Sequence, residues 1–171
     1  MAKLTFILGG ARSGKSSHAV KLAKKYKKVV FVATCKALDK EMKKRINLHK
    51  KSRPCHWRTI EEDKNIVSAL SSIKDRPECI IIDCLTLLVS NLLLSGGSGK
   101  EIEKKINNII STLKKLKLRT IIISNEVGLG IVPRNKLARE FRDVAGRANQ
   151  IMASLSDEVF FMVSGLAWRI K

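Results

Sequence analysis

The chain has 171 residues, of which 44% are hydrophobic, and this length and composition suit one globular domain spanning residues 1–171. It carries 34 lysines and arginines against 15 aspartates and glutamates, which gives a formal net charge of +19 at pH 7. No apolar run reaches the roughly 20 residues of a membrane-spanning helix, and residues 1–5 lead into a strand-like segment rather than a signal peptide, so we expect a cytoplasmic protein without an integral membrane segment.

The positive charge raises the question of a polyanionic partner such as nucleic acid. The lysines are scattered along the chain, however, and aromatic residues make up only 5% of it, so the aromatic platforms that stack bases are missing from the pattern. We therefore expect no nucleic-acid partner and interpret the charge as a lysine-rich compositional habit. The four cysteines form no zinc-like spacing and are interpreted as reduced, mostly structural thiols.

Apolar runs alternate along the chain with longer segments of helical periodicity. Strands are predicted over 3–8, 29–34, 79–83, 119–124 and 158–164, the last being the final strand, and helices over 15–28, 37–51, 61–74, 85–94, 100–117 and 136–154. The strand segments lack polar alternation, which is typical of parallel strands covered on both faces. The order predicts an α/β, P-loop NTPase-like, three-layer fold with a mainly parallel central sheet.

A glycine-rich loop of the form Gly-x4-Gly-Lys-Ser follows the first predicted strand and precedes the first predicted helix. Its residues are Gly9, Gly10, Ala11, Arg12, Ser13, Gly14, Lys15 and Ser16. Glycines at this spacing let backbone N–H groups converge on phosphate oxygens, and the helix N-terminus adds a favourable dipole. Lys15 supplies a point charge and Ser16 a hydroxyl for Mg²⁺, so the loop predicts a nucleoside triphosphate site.

A magnesium–triphosphate site also needs a carboxylate at the end of a neighbouring strand. Asp83 closes the predicted strand over 79–83 and is placed for this role. Because Mg²⁺ keeps several waters, Ser16, Asp83 and phosphate oxygens suffice as ligands. The alternative is that Asp83 only caps the strand or forms a turn.

His49 begins a run of cationic and polar residues, His49-Lys50-Lys51-Ser52-Arg53-Pro54. An imidazole is a good nucleophile towards phosphorus at neutral pH, and neighbouring cations would offset phosphate charge. Taken without further information, a histidine at this position is more often a solvated cation at a helix end than a catalytic residue. His18 and His56 are interpreted as packing or capping residues.

Four blocks together resemble the bifunctional adenosylcobinamide kinase/adenosylcobinamide-phosphate guanylyltransferase family of cobalamin assembly. The blocks are GGARSGKS at 9–16, VVFVAT at 29–34, DKEMKKRINLHKKSRPCHWRT at 39–59 and NEVGLGIVPRNKLAREFRDVAGRANQ at 125–150. They cover almost the whole chain in the family's order. The glycine-rich loop is shared by many NTPases, whereas the histidine block and the Asn-Glu-Val-Gly block are much narrower signals.

The resemblance implies phosphorylation of the aminopropanol hydroxyl of adenosylcobinamide, followed by transfer of GMP from GTP to that phosphate through a GMP-histidine intermediate. His49 matches the histidine that carries GMP, and Lys50, Lys51, Ser52 and Arg53 would surround the nucleotide, with Glu61 just downstream. Thr34 matches another nucleotide-contacting position and Asp83 lies near the metal. Lys15 and His49 are thus the expected catalytic residues, Mg²⁺ is the cofactor, and the resemblance also implies a homotrimer.

Two features of the chain depart from the family's pattern, and the roles of several residues in the block at 125–150 are left open. Some members carry a second histidine just before the nucleophile, where this chain has Leu48, and the net charge exceeds what the family leads us to expect. In the block at 125–150, Asn125 and Glu126 are expected near the site because they follow a strand end. Arg139 and Arg142, three residues apart on a helix, could bind phosphate or form surface ion pairs.

Two other functions fit parts of the sequence. A single-step P-loop kinase for another small alcohol would transfer the γ-phosphate without releasing pyrophosphate from GTP. A nucleic-acid-binding NTPase would use the +19 charge and would bind DNA or RNA with a steep dependence on salt. Whether ATP or GTP feeds the kinase step is left open by the sequence.

Overall fold

The structure is a computed structural model that describes residues 3–36, 40–51 and 53–171, and within 40–51 the side chains of all but Met42, Arg45, His49 and Lys51. Seven strands form one sheet in the order β3-β2-β4-β5-β1-β6-β7. The strands are β1 Lys3–Gly9, β2 Val29–Ala33, β3 Arg58–Glu61, β4 Cys79–Asp83, β5 Arg119–Asn125, β6 Glu158–Val163 and β7 Leu166–Arg169. The helices are α1 Lys15–Ala23, α2 Lys40–Lys51, α3 Ile66–Ser71, α4 Leu85–Leu94, α5 Gly99–Leu116 and α6 Lys136–Leu155.

The sheet is mainly parallel, as the sequence predicts. All pairs from β3 to β6 are parallel, and only β7 runs antiparallel, against β6. Successive residues of the central strands point to opposite faces and enter two separate hydrophobic clusters: Phe6 packs with α3 to α6 on one face, and Ile7 packs with α1 on the other. Because both faces are covered, the central strands are mostly apolar on both faces.

The helices begin and end where local chemistry favours it. At the start of α5 the Ser98 hydroxyl accepts a hydrogen bond from the backbone N–H of Glu101. The Glu101 carboxylate in turn accepts one from the backbone N–H of Ser98, and the two bonds together form a capping box. The helix is capped at its carboxyl end by Lys117, a non-glycine residue in the left-handed region. At α6 the side chain of Asn135 caps the N–H of Ala138 at 3.1 Å. No helix in the described part of the chain is both long and apolar enough to cross a membrane.

Two strands were missed by the sequence prediction. β3 covers residues that the sequence prediction assigned to a loop and to the first residue of a helix over 61–74. Three of its four residues are exposed, so its apolar signal is weak. The predicted helix extends only over the residues of α3. The strand predicted over 158–164 is not the final one, because β7 returns beside it through a two-residue turn. The helix predicted over 15–28 ends at Ala23, and residues 37–39 of the second predicted helix lie outside the described residues.

The turn between β6 and β7 joins the hairpin to the glycine-rich loop. Ser164 and Gly165 both have positive φ, 49° and 86°, which is the conformation of the tight turn that suits a twisted hairpin. The Gly165 N–H donates to the carbonyl of Ser13 at 3.0 Å. A Cβ on Gly14 would lie 3.2 Å from the Cα of Gly165, so the two backbones are in close contact.

Two of the four cysteine thiols, those of Cys79 and Cys84, are buried in the core. Burial raises the pKa of each to about 12, because the low-polarity surroundings disfavour the thiolate. Cys55 is exposed. The buried thiols therefore stay protonated in the folded protein at pH values where an unfolded chain ionises them.

This difference predicts that the free energy of unfolding falls as pH rises above about 9. The unfolded state releases the two thiol protons near that pH and the folded state holds them until about pH 12, so the loss approaches about 1.4 kcal/mol per pH unit for each thiol. Urea unfolding of the Cys79→Ala variant between pH 8 and 10.5 should show a shallower decline than the parent. The matched Cys55→Ala variant should keep the parent slope, and equal slopes in all three proteins would contradict the assignment.

Candidate nucleotide site

The glycine-rich loop runs from the end of β1 to the start of α1. Gly9 and Gly14 have φ values of 156° and 94°. A Cβ on Gly9 would lie 2.6 Å from the carbonyl oxygen of Met162, so the backbone approaches β6 too closely for any other residue. Arg12 also lies in the left-handed region, at φ 56°. The loop thus has the tight, backbone-exposing form that phosphate binding requires.

Lys15 is the most enclosed charged residue of the loop. Only 8% of it is exposed, and its Nζ donates to the carbonyl of Gly10 and lies 3.5 Å from the Ser13 hydroxyl. Burial lowers the pKa of this ammonium group, while the neighbouring Cys84 and Asp83 act in the opposite direction. The cation is therefore held across the mouth of the loop, where the charge of a phosphate would be strongly favoured.

The hydroxyl of Ser16 donates to Oδ2 of Asp83 at 2.9 Å. Ser16 lies in the first turn of α1, whereas Asp83 ends β4, and the sheet brings the two together across 67 residues of sequence. A hydroxyl beside a carboxylate is a set of hard oxygen ligands of the kind that Mg²⁺ prefers. The two residues therefore fit the predicted metal site.

A cavity of about 450 Å³ lies at the carboxyl edge of the sheet, a size typical of small-molecule sites. Its lining residues are Ala11, Arg12, Ser13, Gly14, Lys15, Ser16, Ser17, Ala33, Cys35, Ile46, Lys50, Arg53, Glu61, Asp83, Cys84, Leu87, Ile123 and Asn125. The structure thus brings the glycine-rich loop, Asp83 and the segment after α2 to one cavity. Of the predicted residues that the structure describes, Gly9, Gly10 and Thr34 lie outside this lining.

Arg53 and Lys50 are the cations that the second half of the site contributes. The guanidinium carbon of Arg53 lies 3.4 Å from the centre of the Phe31 ring, and its Nη1 is buried without a hydrogen-bond partner among the described residues. Burial lowers its pKa, opposed by Asp83 and Glu61. Lys50 forms an ion pair with Glu61, which joins α2 to the end of β3.

Thr34 has a structural role in the described chain. It is fully buried, its hydroxyl donates to the carbonyl of Cys84 at 2.7 Å, and the same oxygen accepts from the Cys84 N–H at 2.7 Å. Its backbone N–H donates to the carbonyl of Asp83 at 3.0 Å. Thr34 therefore positions the segment that carries Asp83. Contact with a nucleotide stays a prediction.

The side chains of His49 and Lys51, and Ser52 as a whole, lie outside the described residues. The backbone of α2 nevertheless places His49 three residues after Ile46 and one before Lys50, both of which line the cavity. His49 therefore occupies a position on the stretch of α2 that borders the cavity.

The segment after β5 is held against the glycine-rich loop. The backbone N–H of Glu126 donates to the carbonyl of Gly9 at 3.0 Å, and Asn125 lines the cavity. Arg142 donates to the carbonyl of Gly128 at 3.0 Å, and Arg139 donates to the carbonyls of Pro133 and Arg134 at 3.0 and 2.6 Å. Both arginines thus shape the loop over 128–134, a role that sequence reasoning did not consider.

Sequence reasoning also missed the part of the lining that is apolar or sulfur-bearing. Ile46, Leu87 and Ile123 border the cavity beside the charged groups, and so does Cys35. Apolar side chains of this kind suit the faces of a nucleobase. Periodicity predicts only that such residues are buried, so the sequence holds no signal that separates them from the core.

Comparison with known proteins agrees with this geometry. Residues 5–170 match the family model described as cobinamide kinase / cobinamide phosphate guanyltransferase. The chain belongs to this family. It is thereby a transferase with a P-loop fold, a kinase and guanylyltransferase of cobalamin biosynthesis, as predicted from the sequence.

Similar proteins include the bifunctional adenosylcobalamin biosynthesis protein CobU of Salmonella typhimurium, which is 38% identical over 98% of this chain and 99% of its own length. The bifunctional adenosylcobalamin biosynthesis protein CobP of Pseudomonas aeruginosa is 41% identical, over 96% of this chain and 95% of its own. A solved KaiC-like protein of Pyrococcus horikoshii OT3 shares the fold, with a TM-score of 0.55 and 13% identity over 94% of this chain and 70% of that one.

The lining position of Cys35 predicts that a bound nucleotide shields its thiol. We expect iodoacetamide at pH 8 to modify Cys35 and Cys55 in the free protein, and saturating GTP with Mg²⁺ to slow modification of Cys35 by at least about fivefold through steric exclusion. Peptide mass analysis distinguishes the two sites. Cys55, which is exposed and lies outside the lining, is the internal control, and equal protection of both or of neither would contradict binding in this cavity.

Proposed function

We propose that this enzyme phosphorylates the aminopropanol hydroxyl of adenosylcobinamide with ATP or GTP and then transfers GMP from GTP to the resulting phosphate. The products are adenosylcobinamide-GDP and pyrophosphate. The observation that carries the proposal is the shared cavity, in which Lys15 and the Ser16–Asp83 pair face the stretch of α2 that includes Ile46 and Lys50. One triphosphate site could then serve both transfers. The names of the relatives, which are bifunctional adenosylcobalamin biosynthesis proteins, support this pairing of activities.

In the kinase step the glycine-rich loop binds the triphosphate. Its backbone N–H groups and the N-terminus of α1 hold the phosphate oxygens, and Lys15 offsets the charge that grows on the β- and γ-phosphates. The substrate hydroxyl attacks the γ-phosphorus, the bond to the β–γ bridging oxygen breaks, and the nucleoside diphosphate leaves. Because Lys15 is buried, its attraction for phosphate is screened less than that of a surface lysine.

In the nucleotidyl step His49 is the proposed nucleophile. An imidazole nitrogen attacks the α-phosphorus of GTP, a P–N bond forms, and the bond to the α–β bridging oxygen breaks, so that pyrophosphate leaves on the side of Lys15. A phosphate oxygen of adenosylcobinamide phosphate then attacks the same phosphorus and the P–N bond breaks. The imidazole is thereby regenerated, and GMP has moved to the acceptor.

Ser16 and Asp83 would hold Mg²⁺ with the phosphate oxygens of the substrate. The bound ion would neutralise charge on the phosphates and orient them. The hydrogen bond from Ser16 to Asp83 places both oxygens at the foot of the loop, and Thr34 fixes the segment that carries Asp83 through its two bonds to Cys84. These protein contacts support the assignment of the pair as metal ligands.

The cations after α2 are proposed to bind the α-phosphate and the leaving pyrophosphate. Arg53 is oriented by its contact with the Phe31 ring, and its buried Nη1 has no partner among the described residues that would compete with a phosphate oxygen. Lys50 is oriented by Glu61. Lys51 and Ser52 are assigned to the nucleotide by family resemblance alone.

We further propose that each chain forms one catalytic domain and that three copies assemble into a homotrimer. The enzyme is proposed to act in the cytoplasm, where ATP and GTP are available. The single seven-stranded sheet supports one domain. The exposed apolar residues Leu166 and Trp168 on the edge strand β7 support an association between copies. Light scattering at micromolar concentration measures the mass of the assembly.

The covalent step predicts that incubation with α-labelled GTP and Mg²⁺ leaves GMP bound to the protein through an acid-labile, base-stable bond. His49→Ala should abolish this adduct and lower guanylyl transfer at least about 1,000-fold, because the nucleophile is lost. ATP- or GTP-dependent phosphorylation of cobinamide should change by less than about tenfold. Mass spectrometry and acid and base treatment of the labelled protein provide the measurements.

The matched control for this experiment is His56→Ala, since His56 is exposed and lies seven residues from His49. That variant should form the adduct at the parent rate. An adduct that survives His49→Ala would exclude His49 as the nucleophile. Phosphorylation without any release of pyrophosphate from GTP would instead favour a single-step kinase.

The stacked geometry of Arg53 predicts that Arg53→Lys weakens GTP binding by about 10- to 100-fold. Lysine keeps the charge but loses the planar fork and its contact with Phe31. Titration calorimetry with GTP and Mg²⁺ measures the change. Arg58→Lys, at an exposed arginine that pairs with Asp75, is the control and should bind GTP like the parent; equal affinities in all three proteins would remove Arg53 from the site.

A further inference from the structure

The amino ends of four central strands are level with one another at the edge of the sheet opposite the cavity. Val29 of β2 pairs with Cys79 of β4, Cys79 pairs with Arg119 of β5, and Arg119 pairs with Lys3 of β1. The segments that precede β2, β4 and β5 therefore lie side by side. Neighbouring strands are about 4.8 Å apart, so three segments distant in sequence meet within about 10 Å.

These three segments are rich in cations. Residues 24–28 contain four lysines, residues 74–78 contain Lys74 and Arg76, and residues 114–118 contain three lysines. All nine of these residues are exposed. We call the surface formed by residues 24–28, 74–78 and 114–118 the basic edge.

Carboxylates at the basic edge do not neutralise it. Glu78 accepts hydrogen bonds from the backbone N–H groups of Lys27 and Lys28, at 2.6 and 3.0 Å, and Asp75 pairs with Arg58 at 3.6 Å. Within the described ranges, none of the nine cationic side chains forms an ion pair with a carboxylate within 4.0 Å. The basic edge therefore presents a concentrated positive potential to the solvent.

Apolar side chains are interspersed with these cations. Leu116, 37% exposed, lies between Lys115 and Lys117. Further along the same edge Ile170 is 51% exposed, and Lys171 beside it donates to the carbonyl of Ser154 at the end of α6. Exposed aliphatic groups among lysines match a lipid surface, where the ammonium groups meet headgroups and the aliphatic groups enter the upper acyl region.

The same surface fits nucleic acid less well. The aromatic residue of the three segments is Tyr26, which is half-buried with the Lys25 ammonium 5.4 Å from its ring centre. A cation thus lies over its ring, where a stacked base would have to lie. The cations are almost all lysines, which act as point charges rather than as the planar forks that read base edges.

We propose that the basic edge binds the negatively charged surface of a lipid bilayer and that the enzyme docks there peripherally. The attraction comes from lysines close to anionic headgroups, with Leu116 and Ile170 as shallow anchors. The cavity lies at the opposite edge of the sheet and faces away from the bilayer, so substrates reach it while the enzyme is docked. The proposal rests on the placement of charge and is independent of the reaction assigned above.

Flotation of the full chain with vesicles tests this proposal. We expect binding to vesicles of phosphatidylcholine and phosphatidylglycerol at 60:40, little binding to pure phosphatidylcholine, and loss of binding as NaCl rises from 50 to 500 mM. Each lysine near such a surface contributes about fivefold in partition coefficient. The variant with Lys27, Lys28, Lys114 and Lys115 replaced by Gln should bind at least about 100-fold more weakly.

The control variant carries four Gln substitutions at the exposed residues Lys100, Lys104, Lys105 and Lys136, away from the basic edge. Its net charge falls by the same amount, and its binding should fall by less than about fivefold. Thermal unfolding of both variants verifies that each is folded. Equal losses in the two variants, or no binding of the parent to anionic vesicles at 50 mM NaCl, would overturn the proposal.

A second pair of measurements separates lipid from nucleic acid. Leu116→Ser combined with Ile170→Ser should lower vesicle binding at 150 mM NaCl by at least about threefold and should leave binding to a 30-nucleotide RNA unchanged. If the double variant binds vesicles like the parent, Leu116 and Ile170 are not anchors and that part of the proposal fails. If RNA binds more tightly than vesicles at 150 mM NaCl and this binding is lost with the four lysines of the basic edge, the surface is one for nucleic acid and the lipid proposal fails.

Discussion

The level register of the parallel strands is the constraint on which the site depends. Gly9 pairs with Asn125, Ala33 pairs with Asp83, and Asp83 pairs with Ile123, so the carboxyl ends of β1, β2, β4 and β5 meet at one line. Each of these strands is held at both sides by backbone hydrogen bonds and packed on both faces. A shift of one residue in β4 would move Asp83 to the other face and separate it from Ser16. The chemistry of the cavity is thus set by strand pairing before any side chain acts.

The two halves of the site differ in how firmly the fold holds them. The glycine-rich loop, Ser16, Asp83 and Thr34 are fixed by the central strands and by short hydrogen bonds between buried groups. The α2 side is attached through fewer contacts at the rim, namely the Lys50–Glu61 ion pair and the packing of Arg53 against Phe31. An exposed ion pair contributes little to stability. The glycine-rich loop is thus held rigidly, whereas the helix that carries His49 is attached more loosely, and this difference suits an enzyme with two transferase activities.

Much of this architecture follows from local sequence patterns. The five central strands, the glycine-rich loop and the place of Asp83 at a strand end could be predicted because apolar runs and glycine spacing report them directly. β3 could not, since its exposed residues carry no apolar pattern, whereas β7 could have been inferred from the Ser-Gly turn between two apolar runs. The contact of Arg53 with Phe31 joins residues 22 positions apart in sequence through tertiary packing, and no local pattern reports it. Family resemblance, rather than periodicity, was needed to single out His49.

The contact between the Ser164–Gly165 turn and the glycine-rich loop ties the two ends of the chain together. Residues 13 and 14 rest on a turn that is completed only when the last strand has been synthesised and paired. A nascent chain that has emerged up to β6 would therefore have the whole of the loop sequence without the support that shapes it. A substitution in the Ser164–Gly165 turn would therefore act on Ser13 and Gly14, which lie about 150 residues earlier in the sequence.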